Sequence, residues 1–399
     1  LIGNDRLRDL SGMQALVSTE GTLEIAHHGS LSSGSALKCL GAVGGDVRLR
    51  SNRQLKHLPP INQLVVIGGS LVVDDNDILA GTLAFPSLVG VGNSVILHAN
   101  PALARVSFDR LQRIEGDLRL ESNTALQDLL GLSTLDAIGG HIVLDGNTSL
   151  SSLRGLDGIE ALPGSLSLQG NDSLVNLEGI QLRRIEGTLA LSDNALLSSL
   201  QGLERLGEVS DNVYIFANPR LQDTLHLSRL AIVGGEIHIR WNDSLERIQL
   251  LSLEDTVQNI GIGSNPALQS IFFPRLEAVI GKLDISFGKS LGKLSFPTLH
   301  YVGQEFRIRA SGELYALELP ALQEVQGDLS IFENTVLRRL QMPALHEVGA
   351  WLSIYDNPAL HDTEAHALVA QMQQQGSVGV DCLQELGQPC PPFIEGNLP

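Results

Sequence analysis

Aromatic rings, cysteine and basic charge are all scarce in this chain. Aromatic residues make up 4% of 399, so a core must be built from aliphatic side chains. Three cysteines are too few for a disulfide-stapled scaffold. Cys382 and Cys390 lie close together in a Pro-rich tail, Gln388-Pro389-Cys390-Pro391-Pro392, and a disulfide closing that loop is expected in an exported protein. Cys39, left over in an apolar stretch, is expected as a buried free thiol. Lys and Arg number 27 against 45 Asp and Glu, a net charge of −18. That balance argues against a nucleic-acid backbone or an anionic membrane as the main partner. No apolar run is long enough for a membrane-spanning helix, so no membrane insertion is expected within this chain. The usual catalytic signatures are absent from the sequence: it has no phosphate-binding Walker loop, no Gly-x-Ser-x-Gly elbow, no His-Glu-x-x-His and no Cys-x-x-Cys. His27-His28 is the most metal-like feature, but adjacent strand residues point to opposite faces and do not chelate together.

Leu and Gly are abundant, and they recur. Aligned on one corner residue, the chain divides into sixteen coils spaced 23 or 24 residues apart, with Asn at thirteen of the corners. The exceptions are His28, Gly288 and Ser311. Three residues after every corner stands Leu, from Leu7 to Leu360. Five and three residues before each corner, from the second coil on, stand apolar pairs such as Leu23/Ile25, Leu118/Leu120 and Leu352/Ile354. This is a short half-buried strand with alternate side chains in and out. A Gly two residues before many of these strands, such as Gly45, Gly69 or Gly327, lets the chain turn where a Cβ would be crowded. An inward Asn tolerates the left-handed backbone and bonds both its own turn and the next coil, so stacked corners form an amide ladder.

The return half of each coil varies, reading Phe-Pro-x-Leu or Leu-Pro-x-Leu in late coils and Gly-Leu in middle ones. None has helical periodicity long enough for a helix-backed repeat. The expected fold is an all-β solenoid over residues 1–360, a right-handed parallel β-helix of about sixteen coils. After Leu360 the pattern stops. Residues 361–376 read as a capping helix with an apolar stripe of Ala365, Leu368, Val369 and Met372. Residues 377–399 form the Cys- and Pro-containing tail.

The repeat Gly-x-Leu-x-Ile-x-x-Asn-x-x-Leu followed by Phe-Pro-x-Leu-x-x-Val, as at Gly327–Leu337 and Phe296–Val302, resembles the receptor L-domain, a leucine-rich-repeat-like family. Its known members include the ligand-binding domains of insulin and epidermal-growth-factor receptors, fungal wall glycoproteins and bacterial exported proteins. The long uninterrupted array and helical end look like the bacterial exported type. The resemblance implies a non-enzymatic extracellular recognition protein. It implies no receptor-specific contacts, because animal L domains have about six coils and come in pairs separated by Cys-rich modules. The chain opens in mid-repeat, Leu1-Ile2-Gly3-Asn4, which leads to the expectation that a signal or anchor segment was removed upstream and that the protein is secreted or held at the cell surface.

Function on such a solenoid must be written in the outward columns. One stands out for rings and Arg: Tyr214, Phe216, His238, Arg240 and Trp241, continued by Arg307, Arg309, Phe332 and Tyr355. Outward aromatics in a chain poor in them mark a ligand-binding surface, against the plainer reading that cross-strand pairs stabilise the sheet. The second patch is acidic, with Asp74, His98, Glu121 and Asp145 on consecutive strands about 5 Å apart. Glu121 and Asp145 have a spacing compatible with a glycosidase pair, and also suit a solvated face. The expected function is recognition or adhesion, with a glycan or cell-surface protein as ligand and no cofactor, metal or catalytic residue. The alternatives are a polysaccharide-acting β-helix enzyme and a structural stalk.

Overall fold

A computed structural model describes residues 1–374 apart from 34, 59, 255 and 256, together with the strand at 393–395. The residues divide into two compact units, Leu1–Leu197 with Gln201–Leu206, and Ser198–Leu200 with Gly207–Pro399. The first unit carries eight strands of the main sheet, each of four residues: β1 (Leu23–Ala26), β2 (Val47–Arg50), β3 (Leu71–Asp74), β4 (Val95–His98), β5 (Leu118–Glu121), β6 (Ile142–Asp145), β7 (Leu166–Gln169) and β8 (Leu189–Ser192). The second carries β9 (Val213–Phe216), β10 (Ile237–Arg240), β11 (Ile260–Gly263), β12 (Leu283–Ser286), β13 (Phe306–Arg309), β14 (Leu329–Phe332) and β15 (Leu352–Tyr355). Within each unit, consecutive strands pair in parallel, residue for residue and without slippage, as in Leu118↔Ile142 through Glu121↔Asp145 and Leu329↔Leu352 through Phe332↔Tyr355. The expected all-β parallel solenoid is therefore the observed fold.

Register is held because each strand has one wet and one dry side. Five and three residues before the corner the side chains are buried, while those between them are half-exposed in nearly every strand. The Leu after each corner is buried from Leu31 to Leu360. The return path packs against the same core. Phe273 and Phe296, each followed by Pro, are fully buried with ring centroids 5.4 Å apart and edge to face, so the Phe-Pro motif is core.

The corner differs from expectation in one respect. The left-handed residue is the one before the Asn. Thirteen non-glycine residues at that position, among them His27, Ala99, Trp241 and Phe287, have φ between 50° and 59°, and Gly146 and Gly170 fill the same place. From Asn52 on, the Asn itself is fully buried and bonds in three directions. The backbone N–H of Asn123 donates to Oδ1 of Asn147 (3.1 Å), and Nδ2 of Asn147 donates to the carbonyl of Leu120 in the preceding coil (2.7 Å). Nδ2 of Asn76 donates to its own strand's Asp74 carbonyl (3.0 Å) and to Oδ1 of Asn100 (3.1 Å). At the first break, His28 is also buried and substitutes a ring, its Nδ1 accepting the N–H of Asn4 (3.1 Å). At the later breaks Gly288 has no side chain to offer, and the buried Ser311 hydroxyl has no hydrogen-bond partner.

The crowded glycines behave as their spacing implies. A Cβ on Gly45 would stand 2.7 Å from the backbone nitrogen of Thr22 one coil back. Cys39 is free and half-buried, not fully buried as expected, because the 3-10 turn (Ser35–Cys39) turns Ala36 and Leu37 into the core and leaves Lys38 and Cys39 on its outer side. The pairing of Cys382 with Cys390 lies outside the described residues. Helix α1 (Asp362–Gln374) buries Ala365, Leu368, Val369 and Met372. Gln371 ties it down, with Nε2 donating to the carbonyls of Met342 (3.0 Å) and Leu345 (2.8 Å). A last strand, β16 (Phe393–Glu395), pairs in parallel with β15 and extends the main sheet by one strand.

Two substitutions test this account by equilibrium denaturation. Leu174→Ala removes a fully buried corner Leu and is expected to cost about 2–5 kcal/mol, whereas Leu130→Ala at an exposed position should stay within about 0.5 kcal/mol. Asn147→Ala leaves the buried N–H of Asn123 unpaired, at about 1–3 kcal/mol, and takes from the carbonyl of Leu120 the second of its two donors. A loss at Asn147 no larger than that at Leu130 would contradict the ladder's role.

Candidate functional site

The outer sheet face of the second unit presents side chains whose order along the stack follows from the register. Tyr214 and Phe216 on β9 lie opposite His238 and Arg240 on β10. Rings two residues apart on one strand face point the same way, and those of Tyr214 and Phe216 stack with centroids 5.6 Å apart and 17° between planes. The His238 ring is 5.8 Å from Tyr214, and its Nε2 lies 3.0 Å from the Glu236 carboxylate. Trp241 sits at the corner in the left-handed conformation (φ 59°), meets Phe216 edge-on at 5.9 Å and is 55% exposed.

The next strand, β11, offers Gly261 and Gly263 outward and so adds no side chain. A Cβ on Gly261 would stand 2.6 Å from Nδ1 of His238 and 2.8 Å from Nη2 of Arg240, because both side chains lean over it. Arg240 reaches across to Asp284 on β12, where the nearest approach is a loose 3.9 Å. Arg240 Nε and Asp284 Oδ1 are buried without a hydrogen-bond partner. Beyond the gap Phe287 occupies the same left-handed corner position as Trp241 (φ 56°) and is 47% exposed. Arg309 on β13 lies over the Phe287 ring, its guanidinium carbon 4.5 Å from the centroid, and 5.8 Å from that of Phe332. Phe332 and Tyr355 stack nearly parallel at 4.7 Å and 6°.

The sequence-derived residues therefore form two ring clusters. Tyr214, Phe216, His238 and Trp241 make one; Arg309, Phe332 and Tyr355 make the other. Arg240 spans the gap, and Arg307 turns away to pair with Glu305. Phe287 and Asp284 were missed as site residues. The signal for Phe287 was legible, since it stands one residue before its corner as Trp241 does. The outward columns two and four residues before the corner did not include that position.

In the first unit, Asp74, His98, Glu121 and Asp145 do lie on consecutive strands, and each is engaged. Asp74 takes His98 Nδ1 at 2.8 Å and Arg50 Nε at 3.4 Å. Glu121 pairs with Arg119 at 3.6 Å, and Asp145 accepts from the Ser167 hydroxyl and the Gln169 N–H, both at 3.1 Å. Among the described residues no group of three or more metal-binding side chains converges.

Burial raises the Tyr214 phenol above its ordinary value of 10.0, and the carboxylates of Glu236 and Asp211 add to the rise. A spectroscopic titration should therefore place Tyr214 above 10.0, and Glu236→Gln should lower the midpoint without abolishing the shift. The phenol then loses its proton more readily in the unfolded chain, so this residue makes stability fall as pH rises past 10.0. A midpoint at or below that of free tyrosine would contradict the packing of the cluster.

No family model matches the chain, and no curated protein matches it. Among solved structures the chain is similar to a leucine-rich repeat protein from Bacteroides ovatus, at 12% identity over 82% of each chain with a TM-score of 0.33.

Proposed function

We propose that the chain is a non-enzymatic recognition protein of the cell surface or extracellular space, and that it binds a glycan or a surface protein on the outer face of β9–β15. The observation that carries this reading is the row of rings and guanidinium groups from Phe216 to Tyr355, in a chain with 4% aromatics. Trp241 and Phe287 add weight, since both are large rings exposed on this face. Aromatic and Arg side chains are those that dominate binding energy at interfaces. The resemblance of the repeat to the receptor L-domain supports an extracellular setting and a binding role. The engaged carboxylates of the first unit suit a solvated ion-pair mesh, which is why catalysis is not the preferred reading.

An array of glycans and surface proteins probed with the intact chain tests this. Trp241→Ala or Phe332→Ala should weaken the captured ligand by about tenfold or more, while Glu121→Gln should leave it unchanged. Unaltered binding in both ring variants would refute the assignment, and glycan cleavage that disappears in Glu121→Gln would replace it with an enzymatic one.

A further inference from the structure

We infer that the chain pairs with a second copy of itself through an apolar face on the return side of its first unit. Four successive coils lay short strands side by side there, Ser18–Thr19, Ala42–Val43, Val66–Ile67 and Gly90–Val91, paired in parallel. The residues just before them follow the same order: the N–H of Gly41 donates to the carbonyl of Val17 (2.7 Å), that of Val65 to Gly41 (2.9 Å) and that of Val89 to Val65 (2.9 Å). Two outward rows result, Val17, Gly41, Val65 and Val89, and beside them Ser18, Ala42, Val66 and Gly90. The four valines are between 39% and 63% exposed, over a buried row of Val43, Ile67 and Val91. The next positions are exposed glycines, Gly44, Gly68 and Gly92, where a Cβ would stand 2.2 Å from a carbonyl oxygen one coil back. That margin therefore carries no side chain.

The fold does not require these rows to be apolar. In the coils that follow they carry Gln112 and Arg113, Asp136, Glu160, then Arg183 and Arg184, all exposed. An apolar face at positions that the chain elsewhere fills with charge marks a contact surface. Shape and charge then select a second copy as its cover. Gly41 and Ala42 form a hollow beside the ridge of Val65 and Val66. A two-fold axis along the strand direction, midway between these two coils, sets each copy's ridge over the other's hollow, Val65 against Gly41 and Val66 against Ala42. Val17 then meets Val89, Ser18 meets Gly90, and the acidic positions from Asp136 on fall outside the overlap. With a net charge of −18, two copies repel over most of their surface. From Val47 to Phe108, however, the acidic residues are Asp74, Asp75 and Asp77 alone, and they cluster where β3 ends at its corner, on the main sheet. Neither row has a charge or a ring to anchor a dissimilar partner. The face spans about 15 Å each way. That is small beside a standard interface, so Kd is on the order of 10–100 μM.

The test is sedimentation equilibrium of the full chain across that range of concentration. Monomer and dimer should exchange, and added salt should favour the dimer, because it screens the repulsion between two chains of charge −18. Val66→Glu places a carboxylate on the ridge and should weaken association by about tenfold or more. Ala161→Glu adds the same charge at an exposed position of the same row outside the overlap, and should leave association unchanged; circular dichroism confirms that both variants remain folded. A monomer at every concentration overturns the inference and leaves the face to a different protein. Association that Val66→Glu does not weaken, or that both variants weaken equally, overturns it as well, the first by excluding this face and the second by tracing the effect to net charge. A dimer that salt dissociates would be held by ion pairs and would contradict the apolar contact.

Discussion

The structure depends on one repeated event, a strand that ends in a left-handed residue and delivers a buried Asn into the stack. Left-handed backbone is costly for residues other than Gly, yet thirteen non-glycine residues adopt it here. At ten of the thirteen the residue that follows is Asn, and its amide holds the turn; His28, Gly288 and Ser311 follow the other three. Each Asn gives its side-chain oxygen to the neighbouring corner's N–H and its nitrogen to a carbonyl one coil back. Without these bonds the turn would bury polar backbone groups with no partner, which is more damaging than the turn conformation itself. The ladder thus fixes the corner, the corner fixes the coil length, and equal coil lengths keep the strands in register.

Register has a functional consequence. Because coils differ by at most one residue in length, side chains at equivalent positions line up in columns along the stack. A column is a ready-made surface whose chemistry changes one residue per coil without touching the core. Rings at Phe216, Trp241 and Phe287, the guanidinium of Arg309, and rings again at Phe332 and Tyr355 are a run of such choices. The absence of outward side chains on β11 is another. The same left-handed corner that builds the fold also throws Trp241 and Phe287 outward, since their side chains leave the core at the point where the chain turns.

Most of the fold was legible in the sequence because a repeat reports itself many times. The period, the strands, the inward pairs and the stripe of α1 follow from residue spacing alone. The left-handed position was assigned to the Asn because Asn is the side chain known to tolerate it. Position 99 is Ala and position 287 is Phe, residue types that give no sign of that backbone; only neighbouring bonds impose it. The site was half legible for a related reason. Outward columns can be written from a two-residue period, but the residue before the corner lies outside that period; Trp241 was included beside Arg240, while Phe287, beside Ser286, was missed. The leaning of Arg240 over Gly261 toward Asp284, three strands' worth of contact, depends on side-chain rotamers and leaves no trace in spacing.

The claim that amide rungs, and not burial alone, secure the corners is tested most directly where the ladder is broken. The backbone N–H of Asn242 donates to Oδ1 of Asn265 at 2.9 Å, whereas the N–H of Asn265 faces Gly288, which has no side chain to accept it. Both residues are buried to the same degree. Native-state hydrogen exchange should find the Asn242 amide strongly protected and that of Asn265 exchanging markedly faster. Equal protection at the two corners would contradict the account.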